Sequence, residues 1–251
     1  VVCFLPIVAG FVGADTIGCI LATKIYASEE MRALVDIGTN GEVVMGNQDG
    51  LMVCSAPAGP ALEGAQIRHG MRGAVGAIER VSIDDDVKCA TIGNAPAIGI
   101  CGSGLVDAAA AMLSAGVLKS SGLLKADNGG RLAAKLKERF TKTEDNKEQF
   151  VLVWADESGR DEDIVLTQHD IRQLQLAKGA IVSGVMMLQN VMGVPDEKLK
   201  ELMLCGGFGN YISTESAVKI KLLPNLELDT ITYLGNAAHL GAQMALLSEL
   251  E

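Results

Sequence analysis

The stretch Leu34–Val44 reads LVDIGTNGEVV. Two apolar runs flank Asp36 and a Gly-Thr-Asn-Gly bend, which is the pattern of a β-hairpin. Hairpin turns favour Gly and Asn because these residues accept positive φ, and polar groups are tolerated in a turn. A second reading is a phosphate and metal site. The backbone N–H groups of a glycine-bearing bend can cradle phosphate oxygens. Gly38 and Gly41 would let the main chain approach a ligand closely, and Thr39 and Asn40 add side-chain donors. Asp36 would hold Mg²⁺ through water, an ion that favours a carboxylate, water and phosphate oxygens together. On this stretch alone both readings stay open.

Working outward, Ala33–Asp36, Glu42–Met45 and Leu51–Cys54 read as three successive strands joined by the turns IGTNG and NQDG. Upstream, Val1–Val8 is apolar and strand-like, and Ala9–Lys24 is a small-residue helix. Downstream, SAPAGPALEG (Ser55–Gly64) leads into a helix start. Ala77–Ile83 and Val87–Ile92 form a hairpin across the acidic turn Asp84–Asp86. A strand edge at Ala97–Cys101 precedes the helix Leu105–Ala115. Composition shifts near Lys119: the next stretch is charged, with an amphipathic piece at Arg131–Phe140 and a hairpin made by Phe150–Ala155 and Asp163–Leu166. It reads as an α+β insertion over about 119–166. Thr167-Gln168-His169-Asp170 is a capping-box pattern opening a long helix that carries Ile171, Leu174, Ala177, Ile181, Val185 and Leu188 on one face. Leu202–Cys205 is a short buried strand, Glu215–Lys219 a helix, Ile231–Leu234 apolar, and Asn236–Leu247 a last helix. Antiparallel strands running into α/β alternation predict an α/β fold with a mixed sheet flanked by helices.

Composition narrows the function classes. The chain has 251 residues, 49% hydrophobic, with a formal net charge of −10. An acidic surface repels nucleic-acid phosphates and argues against a nucleic-acid partner, whereas an anionic nucleotide can still bind through local amides and a metal ion. No apolar run reaches the ~18–20 residues of a membrane span, and Asp15 interrupts the nearest candidate, so no membrane anchor is expected. The six cysteines include no C-x-x-C pair and sit among apolar or small residues, as in LMVCSA and LMLCGG. They read as reduced, buried thiols of a cytoplasmic protein. The three histidines are far apart and form no ligand pattern. The chain starts at Val1 without a methionine, inside an apolar run, which leads to the expectation of a piece of a longer protein.

Four further stretches could carry chemistry. In LMLCGGFGN (Leu202–Asn210) a buried strand ends in Gly206 and Gly207, placing bare backbone at a sheet edge where a flat ring could lie; a close strand-to-helix turn is the alternative. In GICGSGLVD (Gly99–Asp107), Gly102 and Ser103 open a helix that could receive an anion, but an N-cap at Ser103 with tight packing is the simpler reading. GFVGAD (Gly10–Asp15) and YLGNAAHLGAQMALLS (Tyr233–Ser248) are small-residue helix segments that would let two helices cross closely, as at a moving joint between lobes; for either alone, ordinary core packing is the simpler reading. Glu63, in GPALEGA, is an acid in an apolar loop that could orient water.

Taken together, DIGTNGE, GGFGN and GNAAHLGA resemble the second half of the sugar kinase, chaperone and actin superfamily, the ASKHA fold, in which two RNase H-like lobes close over ATP. Asp36–Gly41 matches the second phosphate hairpin, Gly206–Asn210 the adenosine loop, Tyr233–Gly241 the second connecting helix and Gly10–Ile20 the first. More narrowly, LPIVAGFVGAD, LVDIGTNGEVVMGN, SAPAGPALEGAQIRHGMRGAVGAI, GICGSGLVD, LTQHDIRQLQLAKGAI and LCGGFGNYI resemble the ATP-dependent reductive activators of corrinoid proteins. The resemblance implies the ATPase part of an enzyme that returns a corrinoid protein from Co(II) to Co(I). It implies ATP and Mg²⁺ here, with a [2Fe–2S] cluster and a first phosphate hairpin in a region preceding Val1, so that these residues alone would be inactive. It implies residues 1–30 as the end of a first lobe with its connecting helix and residues 31–251 as the second. Asp36 would bind metal and act in catalysis, Asp15 and Glu63 would hold water, and Gly38, Thr39, Asn40, Gly41, Gly102, Ser103, Gly206, Gly207, Phe208 and Gly209 would bind nucleotide. The implied partner is a corrinoid protein, with a homodimer also possible. A small-molecule kinase of the same superfamily and a non-catalytic nucleotide- or partner-binding module are the competing readings.

Overall fold

The computed structural model describes residues 4–126, 132–207, 212–224 and 226–248. In chain order its elements are α1 (Ala14–Thr23), β1 (Arg32–Ile37), β2 (Gly41–Asn47), β3 (Gly50–Ala56), β4 (Ala77–Ile83), β5 (Val87–Thr91), β6 (Gly99–Ile100) and α2 (Gly102–Ser114). They continue with α3 (Ala134–Glu138), β7 (Phe140–Lys142), β8 (Glu148–Val153), β9 (Ile164–Thr167), α4 (Gln168–Met192), β10 (Glu201–Cys205), α5 (Thr214–Lys219), β11 (Ile231–Gly235) and α6 (Ala237–Leu247). Two compact units arise: residues 1–58, 178–210 and 221–251 form the first, and residues 59–177 and 211–220 the second.

The first unit is built on a five-stranded sheet of order β11-β10-β1-β2-β3. β1 runs parallel to β10 and β10 to β11, whereas β1–β2 and β2–β3 are antiparallel, so the sheet is mixed as expected. Leu34, Val44, Met203 and Cys205 from three of these strands pack with Cys19 of α1 and Ala237 of α6 in one buried cluster. α1 and α6 cross with almost no side chain between them. A Cβ on Gly18 would lie 2.7 Å from the Ala238 carbonyl oxygen, and one on Gly241 would lie 1.8 Å from that of Gly18. The two small-residue segments therefore meet backbone to backbone.

The second unit holds two three-stranded sheets, β5-β4-β6 and β7-β8-β9. The latter is the α+β piece marked by the charged composition. Arg139, 6% exposed, ties it together: its guanidinium donates to the Val151 and Leu152 carbonyls and pairs with Asp86. α4 opens on the predicted capping box. The Thr167 N–H donates to Asp170 Oδ2 at 2.8 Å, and the Asp170 N–H donates back to Thr167 Oγ1 at 3.2 Å. Asp170 is buried and also accepts from the Arg68 N–H at 3.0 Å, so one carboxylate satisfies a helix start and a loop. Asp170→Ala leaves these donors unpaired in the interior and should lower unfolding free energy by about 2–3 kcal/mol. Urea melts measure this, and a loss below about 0.5 kcal/mol would show the box to be peripheral.

The structure corrects three sequence expectations. Residues 4–8 form no strand and leave Phe4 and Ile7 exposed, because no strand among the described residues pairs with them; Val1–Cys3 lie outside the described residues. α1 begins at Ala14 rather than Ala9, after Gly13 in an extended conformation. The cap of α2 is Cys101 instead of Ser103, whose hydroxyl lies inside the first turn at 3.2 Å from the Cys101 sulfur.

Candidate functional site

The site grows from the end of β1. Asp36 is the next-to-last residue of that strand, paired with Cys205 of β10 on one side and Glu42 of β2 on the other. Beyond it the chain turns through Gly38–Asn40, closed by a hydrogen bond from the Gly38 N–H to the Asn40 carbonyl at 3.0 Å. Thr39 and Asn40 are exposed. Gly38, Asn40 and Gly41 do not take positive φ, so the usual conformational reason for glycine in a hairpin does not apply here. Gly41 is instead buried beneath α4, where a Cβ would stand 3.0 Å from Ile181 Cγ1.

Two neighbours shape the Asp36 carboxylate. The Cys19 thiol of α1 donates to Oδ2 at 3.4 Å. Oδ1 faces Gly206, where a Cβ would lie 2.7 Å from it and 2.5 Å from the Ile37 carbonyl oxygen. Gly206 also takes φ +98°, so both space and backbone demand glycine. Its N–H donates to the Gly235 carbonyl at 3.0 Å. Gly207 is exposed with open space where a side chain would be, while Phe208 and Gly209 lie outside the described residues.

The electrostatics suit a cation. Burial pushes the Asp36 carboxyl above the ordinary range; the Cys19 hydrogen bond opposes this, and the Asp15 charge adds to it. Glu42 is pushed up by burial, eased by the Ser55 hydroxyl at 3.0 Å, and raised further by Asp15 and Asp36. Asp15 is exposed in the first turn of α1, its carboxylate accepting from the Thr16 N–H at 2.8 Å. Among the described residues no three His, Cys, Asp or Glu side chains converge into a metal cage. A single carboxylate beside the bare backbone of Gly206 matches the way Mg²⁺ is held with a phosphorylated ligand, by one or two carboxylates with water and phosphate completing the shell. The residues present therefore fit a magnesium–nucleotide.

Asp15, Asp36, Gly38–Gly41, Gly206 and Gly207 fall in the first unit, and Glu63, Gly102 and Ser103 in the second. Glu63 ends a one-turn helix, Pro60–Glu63, and is half-buried. Gly102 is buried, and its missing Cβ makes room for the Leu62 carbonyl, which it would meet at 1.9 Å. Ser103 is buried as well. Sequence reasoning treated Cys19 and Cys205 as ordinary core thiols. Cys19 contacts the central carboxylate and Cys205 is the strand neighbour of Asp36; the neighbouring Cys205 thiol, then burial and the Asp36 charge, push the Cys19 thiol far up. The signal was present in Cys205 directly preceding Gly206 and in Cys19 lying one helical turn after Asp15.

Residues 30–251 match the family described as the C-terminal domain of RACo, the ASKHA domain. The chain is 41% identical, over its whole length, to the corrinoid activation enzyme RamQ of Eubacterium limosum, of which it covers 42%. It is 25% identical over 96% of its length to the [Co(II) methylated amine-specific corrinoid protein] reductase of Methanosarcina barkeri, covering 44% of that protein. Among solved structures, a reductive activator for corrinoid, iron-sulfur protein superposes with a TM-score of 0.89 at 43% identity, over 98% of this chain and 38% of the other. The chain thus spans roughly two fifths of the length of these relatives.

Proposed function

Because the chain belongs to the family of the C-terminal ASKHA domain of RACo, we propose that it is the nucleotide-binding part of a reductive activator that returns a corrinoid protein from Co(II) to Co(I) at the expense of ATP. The observation that carries this reading is the Asp36 carboxylate at the end of β1, held on Oδ2 by the Cys19 thiol with Oδ1 against the bare backbone of Gly206. No helix among the described residues is long and apolar enough to cross a membrane.

In this reading Asp36 holds Mg²⁺ through water, and the ion, when bound, neutralises phosphate charge and fixes the triphosphate in line for attack. The exposed bend Gly38–Asn40 lies along the phosphates, with Thr39 and Asn40 supplying donors. Gly206 and Gly207 offer a bare main chain to the nucleoside. Asp15 orients water from the first turn of α1. Gly102 and Ser103 serve packing instead of nucleotide binding, since Leu62 occupies the space at the helix start. A [2Fe–2S] cluster elsewhere in the protein that carries this chain would supply the reducing electron. Closure of the two family lobes on ATP is the conformational step that reaches the corrinoid partner.

The test uses the protein that carries this chain, a corrinoid protein poised at Co(II) and a low-potential reductant. Co(I) absorbance should grow only when Mg·ATP is present. Co(I) formation at equal rate without nucleotide, or transfer of phosphate to a metabolite instead, would overturn the proposal.

A further inference from the structure

We infer that Cys19 is a positioning residue for Asp36: its thiol anchors one carboxylate oxygen from α1 and thereby fixes the other on the Gly206 side. The inference rests on the reading of Asp36 as the magnesium-side carboxylate.

One hydrogen bond and its buried surroundings define the arrangement. Cys19 donates to Asp36 Oδ2 at 3.4 Å. Cys205, the parallel neighbour of Asp36 in the sheet, belongs to the same buried cluster as Cys19. Both sulfurs belong to fully buried residues. A carboxylate rotates freely about its last torsion unless something holds it. Here Oδ2 is tied on the helix side, and Oδ1 is left beside the glycine that gives it room. Groups behind a metal ligand orient it, and their removal typically weakens metal affinity by roughly 10–100-fold. Because a thiol is a weak donor, the lower end applies.

Cys19 sits next to Gly18, the residue through which α1 touches α6. The same helix turn therefore carries both the helix crossing and the anchor of the carboxylate, and a shift of α1 is felt at Asp36 through one hydrogen bond.

The test is binding, read by titration calorimetry on the protein that carries this chain, with ADP as probe in the presence of Mg²⁺ and in its absence. Cys19→Ala should raise the Kd for Mg·ADP roughly tenfold and leave metal-free ADP unchanged. Cys19→Ser keeps a donor in place and should stay within about threefold of the parent. Unchanged Mg·ADP binding in Cys19→Ala overturns the inference. So does an equal loss with and without Mg²⁺, or failure of Ser to rescue, since either marks simple packing. Should Cys19→Ala not fold, Cys19→Val, which fills the space but carries no donor, is judged by the same criteria. Asp36→Asn is the reference: if it too binds Mg·ADP normally, the reading of Asp36 fails; if it alone loses binding, only the role of Cys19 fails.

Discussion

Asp36→Asn should reduce ATP-dependent Co(I) formation by roughly a hundredfold or more while leaving the thermal midpoint unchanged or higher. The two halves of this expectation have one cause. Asp36 lies half-buried between two strands and a helix, and that burial raises its carboxyl above the ordinary range. A raised carboxyl means that the folded state holds the ionised form less well than the unfolded chain does. At pH values above the raised folded value, the charge therefore costs stability. As pH falls through that value toward the ordinary ~3.9, the cost disappears. Asn keeps the shape and still accepts from Cys19, but it brings no charge. The advantage of the variant in stability should accordingly be largest at neutral pH and vanish in acid. Its defect in function should persist at every pH, because a neutral amide cannot replace a carboxylate facing a cation. Such a residue works against the fold and for the site, which a purely structural turn acid would not do. A variant that loses stability and keeps Co(I) formation would identify Asp36 as part of the scaffold.

The hairpin, the three strands around it, the capping box and the closing helix were legible because each depends on local pattern. Alternation, turn residues and a Thr-x-x-Asp spacing are all readable within a few positions. What was not legible depends on pairs far apart in sequence. Nothing near Gly41 shows that Ile181 lies on it, and nothing near Gly102 shows the Leu62 carbonyl in its place. Glycine was correctly marked at these positions, but for conformational freedom or ligand approach, when the observed reason is close packing. The same holds for Cys19: its apolar surroundings suggest a core thiol, and only the tertiary contact with Asp36, 17 residues away, reveals a second role. The opening apolar run misled for a different reason. Hydrophobicity alone predicts burial, but a strand also needs a neighbour to bond with, and residues 4–8 have none among the described residues.

Gly241→Ala tests the crossing of α1 and α6, and its direction is decided by magnitude. Alanine in a helix interior is favoured over glycine by about 1 kcal/mol, so on propensity alone the variant should be more stable. Against this, the new Cβ would stand 1.8 Å from the Gly18 carbonyl oxygen and 2.4 Å from its carbon. Both partners are backbone atoms, so no rotamer change relieves the contact, and the helices must separate. Overpacking of this kind typically costs about 1–3 kcal/mol and sometimes more when nothing can yield. We expect a net loss of about 2 kcal/mol, read from the urea midpoint at unchanged m-value. Gly179→Ala is the control: this glycine lies within α4 with open space around its would-be Cβ, and the substitution should stabilise by up to about 1 kcal/mol. The separation should also reach the site, because α1 carries Cys19 one residue beyond Gly18. Moving that helix stretches the 3.4 Å contact to Asp36, and Mg·ADP affinity should fall along with stability. A Gly241→Ala protein as stable as its parent would mean that the two helices yield to one another easily, and that their contact does not hold the carboxylate in place.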